Sequence, residues 1–226
     1  MSTMKRIPIR ERELPNYTRT EELVNMATHA FGVVFGAVVL ILAIVISAGH
    51  RDPWAIVGSA VYGFSMIGLF TVSSVYHGMK PCTAKKVMQA IDHCVIYLLI
   101  AGSYTPILLS AIRPEHPALA WWIFGAEWGI AALAVTLTAI DLKKYALFSM
   151  ICYLAMGWLV VMAAKPTAEA LSRPGMLLLL YGGIAYTLGA VLYGLGKKKK
   201  YLHAVFHVFV DIGCVLHAVC ILRYVL

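Results

Sequence analysis

Seven apolar runs, each about as long as a membrane is thick, take up most of this 226-residue chain and leave little room for any other architecture. A hydrocarbon core of about 30 Å is crossed by roughly 20 helical residues at 1.5 Å each. Runs of that length extend from Met26 to Ala48, Trp54 to Tyr76, Val87 to Ile112, Ala118 to Ile140, Tyr145 to Ala164, Gly175 to Leu195 and Leu202 to Val225. With no water to satisfy backbone polar groups, such runs are expected as helices. The expected fold is therefore all-α, a seven-transmembrane helix bundle, with residues 1–25 as a cytoplasmic arm and residues 26–226 as the transmembrane domain.

Composition agrees. Hydrophobic residues make up 61% of the chain and charged residues 13%, against about 25% charged in soluble domains. The loops are too short for a second domain, and no fixed-period repeat or low-complexity tract is evident. The first twenty residues are polar, and the first apolar run exceeds a signal-peptide core, so no cleaved leader is expected.

Lysine and arginine set the expected orientation, because cytoplasmic loops collect them. All nineteen fall on one side except Arg51, Arg113, Lys165, Arg173 and Arg223. This predicts the N-terminus inside and, with seven spans, the C-terminus outside, the reverse of G-protein-coupled receptors. The net charge of +8 is split among juxtamembrane loops, which suits anionic lipid head groups and argues against nucleic acid. Lys197 to Lys200 is expected as a topology anchor. Cys82, Cys94, Cys152, Cys214 and Cys220 form no CxxC pair and are expected as buried small hydrophobes. The expected location is the cell membrane as a multi-pass protein, the inner membrane in a bacterium, with an oligomeric state that the sequence leaves open.

Ionisable side chains in hydrocarbon are costly and point to function. His77 ends the second run, Asp92 sits in the first turns of the third, and His203 and His207 open the seventh, so all four are expected at one depth. His203 and His207, one turn apart, share a helical face. That spacing lets two imidazoles hold one zinc, and His77 supplies a third nitrogen. An open fourth position is what distinguishes catalytic zinc. No glutamate lies between the two histidines, so Asp92 is the candidate base. Ser73, one turn before His77, is the candidate for orienting a water or an oxyanion, with a packing hydroxyl as its other reading. A histidine pair that merely bonds neighbouring helices is the alternative to a metal, and a haem is disfavoured because two ligands share one turn.

Other polar residues are less determined. His217 lies about 15 Å beyond His207 along the helix and cannot share its metal shell; a hydrogen bond or solvent contact is expected there. Asp211 is open to a supporting role beside His207 or a pairing with another helix. His29, with Asn25 one turn before it, either closes the site or makes an interhelical bond. His93 points about 100° away from Asp92. Glu127 has no evident partner. Gly32 with Gly36 and Gly125 with Gly129 form GxxxG pairs, for which close helix packing is expected. Pro106 is expected to kink its helix, and Trp54, Trp121 and Trp122 to form an interfacial belt.

The strings EELVNMATHAFG, SSVYH, IDHCVIYLLIAGSYTP and HAVFH, spread over nearly the whole chain, resemble the haemolysin III branch of the progestin and adipoQ receptor family, relatives of adiponectin receptors and alkaline ceramidases. The resemblance implies seven transmembrane helices with a cytoplasmic N-terminus, and a zinc ion on His77, His203 and His207 with Asp92 and Ser73 beside it. It also implies ceramidase-like hydrolysis, lipid homeostasis or cytolysis. Asp211 and Glu127 have no counterpart in the family pattern.

Three functions are consistent with these residues: a zinc-dependent hydrolase of a lipid amide or ester, with membrane lipid as partner and substrate entering laterally between helices; a lipid sensor or homeostasis protein with structural zinc; and a haemolysin-type cytolysin. The last fits least, because the interior polar residues form one layer and not a path across the membrane.

Overall fold

The computed structural model describes residues 8–196 and 199–226; Lys5, Arg6, Lys197 and Lys198 lie outside the described residues. The helices are α1 (Arg19–Gly49), α2 (Pro53–Gly78), α3 (Thr83–Pro106), α4 (Pro117–Ile140), α5 (Ala146–Gly157), α6 (Ala164–Gly196) and α7 (Leu202–Cys220). Short 3-10 or π turns follow α3, α5 and α7.

Helix α1 starts before the expected Met26 because Thr18 caps it: the Glu21 amide donates to Thr18 Oγ1 and the Thr18 amide to the Glu21 carboxylate. This reciprocal T-x-x-E box satisfies donors that a helix start otherwise leaves open. Along α1 the buried positions are Glu21, Asn25, His29, Gly32, Gly36, Val39, Ala43 and Ser47, while Phe31, Val34, Ile41 and Val45 are exposed. Small and polar residues inside with large apolar residues outside invert the soluble pattern, as expected for a helix whose solvent is lipid.

The chain is a multi-pass integral membrane protein, an all-α bundle, but the expected count of seven spans is corrected. Among the described residues six helical stretches are long and apolar enough to cross a membrane. The predicted fifth and sixth spans, Tyr145 to Ala164 and Gly175 to Leu195, belong to one stretch, Ala146–Leu195. The reason is local: residues expected as a loop are largely helical, since Pro166 falls in the first turn of α6, where a missing N–H costs nothing. The stretch is not straight. Ser172 has a left-handed φ of 57°, and Trp158 Nε1 of α5's C-cap donates to Thr187 Oγ1 of α6 at 3.0 Å. The placement of the C-terminus outside, opposite a cytoplasmic N-terminus, rested on the odd count and falls with it.

Gly32 lies so close to the Phe70 ring that a Cβ would come within 2.5 Å of it, and Gly36 abuts Met66 and Ile67; the first GxxxG packs α1 on α2. The second does not pack. A Cβ at Gly125 or Gly129 would meet nothing within 4 Å, because that face of α4 points away from the bundle. At Pro106 α3 passes into a π turn, Ile107–Ile112, as a residue lacking an N–H disrupts the i to i−4 ladder. Trp54 and Trp121 meet edge to face at 5.7 Å.

Helices α1 and α7 begin together. Tyr201, with a left-handed φ of 62°, donates its amide to Glu21 Oε1 at 2.9 Å, so the strained residue that starts α7 is tied to the cap of α1. His203 and His207 follow directly.

Candidate metal site

Three imidazoles converge between α2 and α7. His203 Nε2 lies 3.3 Å from His77 Nε2 and 3.1 Å from His207 Nε2, and one ligand nitrogen from each ring falls within 4.8 Å of the others. The structure thus holds a histidine triad capable of coordinating a metal ion.

The far side of two rings decides what the near side presents. His77 Nδ1 donates to Glu22 Oε2 at 2.6 Å, and His207 Nδ1 donates to the Asn25 carbonyl at 3.2 Å, with Thr28 Oγ1 at 3.3 Å. Carboxylate and carbonyl oxygens only accept, so the proton of each neutral ring sits on Nδ1 and the Nε2 lone pairs point inward. One proton on His203 Nε2 can serve only one of them. A tetrahedral ion with metal–nitrogen bonds of about 2.0–2.1 Å holds its ligand nitrogens roughly 3.3 Å apart, so the spacing and the donor set both fit a small cation.

Glu22 was not anticipated, although it stands three residues before Asn25 and seven before His29 on one face of α1. It also accepts from Lys85 Nζ, giving a chain from Lys85 through Glu22 to His77 that fixes the orientation of the ring. Glu22→Gln is expected to weaken metal binding about 10–100-fold with the helical content unchanged, measured by competition against a chromophoric chelator. An unchanged affinity removes Glu22 from the site.

Tyr17, in the N-terminal arm, stacks on His203 with ring centroids 5.1 Å apart and planes 19° apart. Burial pushes its hydroxyl well above the usual phenol range, so it covers the triad as a neutral ring. His29 stacks on His207 at 3.7 Å. Both of its ring nitrogens are buried without a hydrogen-bond partner, so neither the closing contact nor the interhelical bond expected of it is made through a nitrogen.

Asp92 is carried by α3 and Ser73 by α2. Both line a chamber of about 140 Å³ together with His29, His203 and His207. Asp92 stands beside the three nitrogens, not among the groups close enough to share one ion. His93 also lines the chamber, but its Nδ1 donates to the Gln89 carbonyl at 2.9 Å and its Nε2 accepts from Tyr193 at 3.1 Å, which leaves the ring no free nitrogen. From the triad the chamber runs between apolar walls that include Leu69, Ile96, Leu99 and Val210, and it reaches His217. Asp211 and Glu127 are not among its lining residues, and the Glu127 carboxylate is buried in α4 without a hydrogen-bond partner.

The profile of the family described as Haemolysin-III related matches residues 17–218. The chain is 36% identical over 206 residues to Hemolysin-3 of Bacillus cereus, covering 91% of this chain and 92% of that protein. It is 35% identical over 208 residues to a Hemolysin-3 homolog of Bacillus subtilis, with 92% and 96% covered. Against the human Monocyte to macrophage differentiation factor it is 31% identical over 219 residues, with 90% and 84% covered. With the motifs, the triad and these matches in agreement, the chain belongs to the haemolysin-III-related branch of the progestin and adipoQ receptor family.

Proposed function

We propose that this protein is a zinc-dependent intramembrane hydrolase of a lipid amide or ester, acting on membrane lipid composition. The carrying observation is that Asp92 and Ser73 face the same chamber as His203 and His207, at one end of an apolar space. A carboxylate, a hydroxyl and the imidazoles of His203 and His207, at one end of a chamber walled in part by Leu69, Ile96, Leu99 and Val210, make a reaction centre with a place for a hydrocarbon chain.

His77, His203 and His207 would hold a zinc ion, which would supply Lewis acidity to polarise the carbonyl and to activate water. Asp92 accepts the proton of the attacking water and returns it to the leaving amine or alcohol. Ser73, which lines the same chamber, donates its one hydroxyl proton to the oxyanion that develops on the carbonyl. Tyr17 and His29 cover the triad from either side and limit water. The acyl chain lies along Leu69, Leu99 and Val210, having entered sideways from the lipid between helices.

The test is turnover of a fluorescent lipid amide and a matched ester by protein reconstituted in vesicles. Chelation should abolish release of the fluorophore, and zinc should restore it. Release that is indifferent to chelator sinks the proposal.

A second reading is supported by the way the triad joins α2 to α7 while Glu22 and Asn25 of α1 hold its outer nitrogens. A zinc ion there ties three helices together, as a lipid sensor without turnover requires. Under that reading chelation lowers the melting temperature and no substrate is cleaved.

A further inference from the structure

The chamber has a second polar end. His217 lies ten residues after His207 on the same helix, about 15 Å along its axis, and lines the same chamber. Its Nε2 is 3.1 Å from the Leu179 carbonyl. A carbonyl only accepts, so Nε2 carries the proton and Nδ1 of the neutral ring is left with a lone pair. That Nδ1 is buried and has no hydrogen-bond partner.

The ring is held firmly. Its Cδ2–Nε2 edge lies against Gly182, where a Cβ would clash with Cδ2, and Tyr186 meets it edge to face at 5.2 Å. With that edge turned to α6, the opposite edge, which carries Nδ1, faces away from it. The other polar heads along this stretch are committed: Tyr104 to Gly157 and Val160, Trp158 to Thr187, Tyr186 to Cys214. Nδ1 is the acceptor left over. An unmet acceptor in an apolar chamber costs free energy unless something donates to it.

We propose that His217 Nδ1 binds a hydroxyl on the hydrocarbon chain of the lipid ligand, so that the chamber selects hydroxylated over plain chains. An extended chain advances roughly 1.2 Å per bond, so about a dozen bonds separate the group at the triad from the hydroxyl at His217. The inference rests on the reading that the chamber takes the substrate's chain. It deepens that reading by assigning the substrate class and a specificity-determining residue at the end remote from the metal.

The probes are ω-hydroxylauric acid and lauric acid, titrated calorimetrically into purified full-length protein in detergent. Each titration is repeated with Asp92→Asn, so that binding is scored without turnover. Wild type and Asp92→Asn should both bind the hydroxylated acid about tenfold more tightly, and His217→Leu should lose the preference by weakening only the hydroxylated acid. If His217→Leu does not fold, the ¹⁵N resonance of Nδ1 in wild type is read instead, and it should shift with the hydroxylated acid alone. Equal affinities in wild type, no measurable binding of either acid, a preference that survives in His217→Leu, or a resonance that answers both acids alike overturns the proposal. A retained preference with no hydrolysis of any lipid sinks the hydrolase reading and leaves the binding assignment standing.

Discussion

His207→Ala is expected to reduce bound zinc from about one ion per chain to less than about a tenth of that. His207 contributes one of three nitrogens and stands 3.1 Å from His203 and in ring contact with His77. Removing it leaves a two-nitrogen site in apolar surroundings, where water cannot readily replace the lost ligand. Loss of a supporting partner alone costs about 10–100-fold in metal affinity, so loss of a ligand costs more. Elemental analysis of protein purified without added chelator gives the ratio. His50→Ala, at the exposed end of α1, should keep its zinc and serves as the control. A His207→Ala protein that still carries one zinc would falsify the triad as the metal site.

Asp92→Asn separates the metal from the reaction. The substitution preserves shape but removes the basic oxygen, and Asp92 is not among the groups that share the ion. Zinc content should stay near one per chain while lipid hydrolysis falls about 10²–10⁴-fold, the usual contribution of a general base. Undiminished hydrolysis excludes Asp92 from proton transfer. A wild-type protein that holds zinc and cleaves neither amide nor ester favours the structural role, for which the Glu22 and Asn25 contacts would be sufficient reason.

Part of the site was legible before any coordinates. His203 and His207 lie one turn apart, and helical periodicity alone puts them on one face. His77 joins them because the apolar runs set where each helix begins and ends. Glu22 was missed because it stands beside Glu21, whose place in the capping box is local, whereas the partnership of Glu22 with His77 crosses 55 positions of sequence. The two GxxxG pairs show the same limit: identical spacing packs at Gly32 and Gly36 and meets nothing at Gly125 and Gly129, since the motif permits a close approach without saying which face receives a neighbour.

By itself the sequence determined the solvent in which this protein folds, its helical class and the helical face that His203 and His207 share, because hydrophobic length and helical rise are properties of a single segment. Tertiary structure decided how many spans the apolar runs compose, which ring nitrogens turn inward, and that the chamber leading from the triad ends at His217. Those features depend on the rotation of one helix against another, which is set by the side chains that meet at each contact and has no periodicity to read in advance.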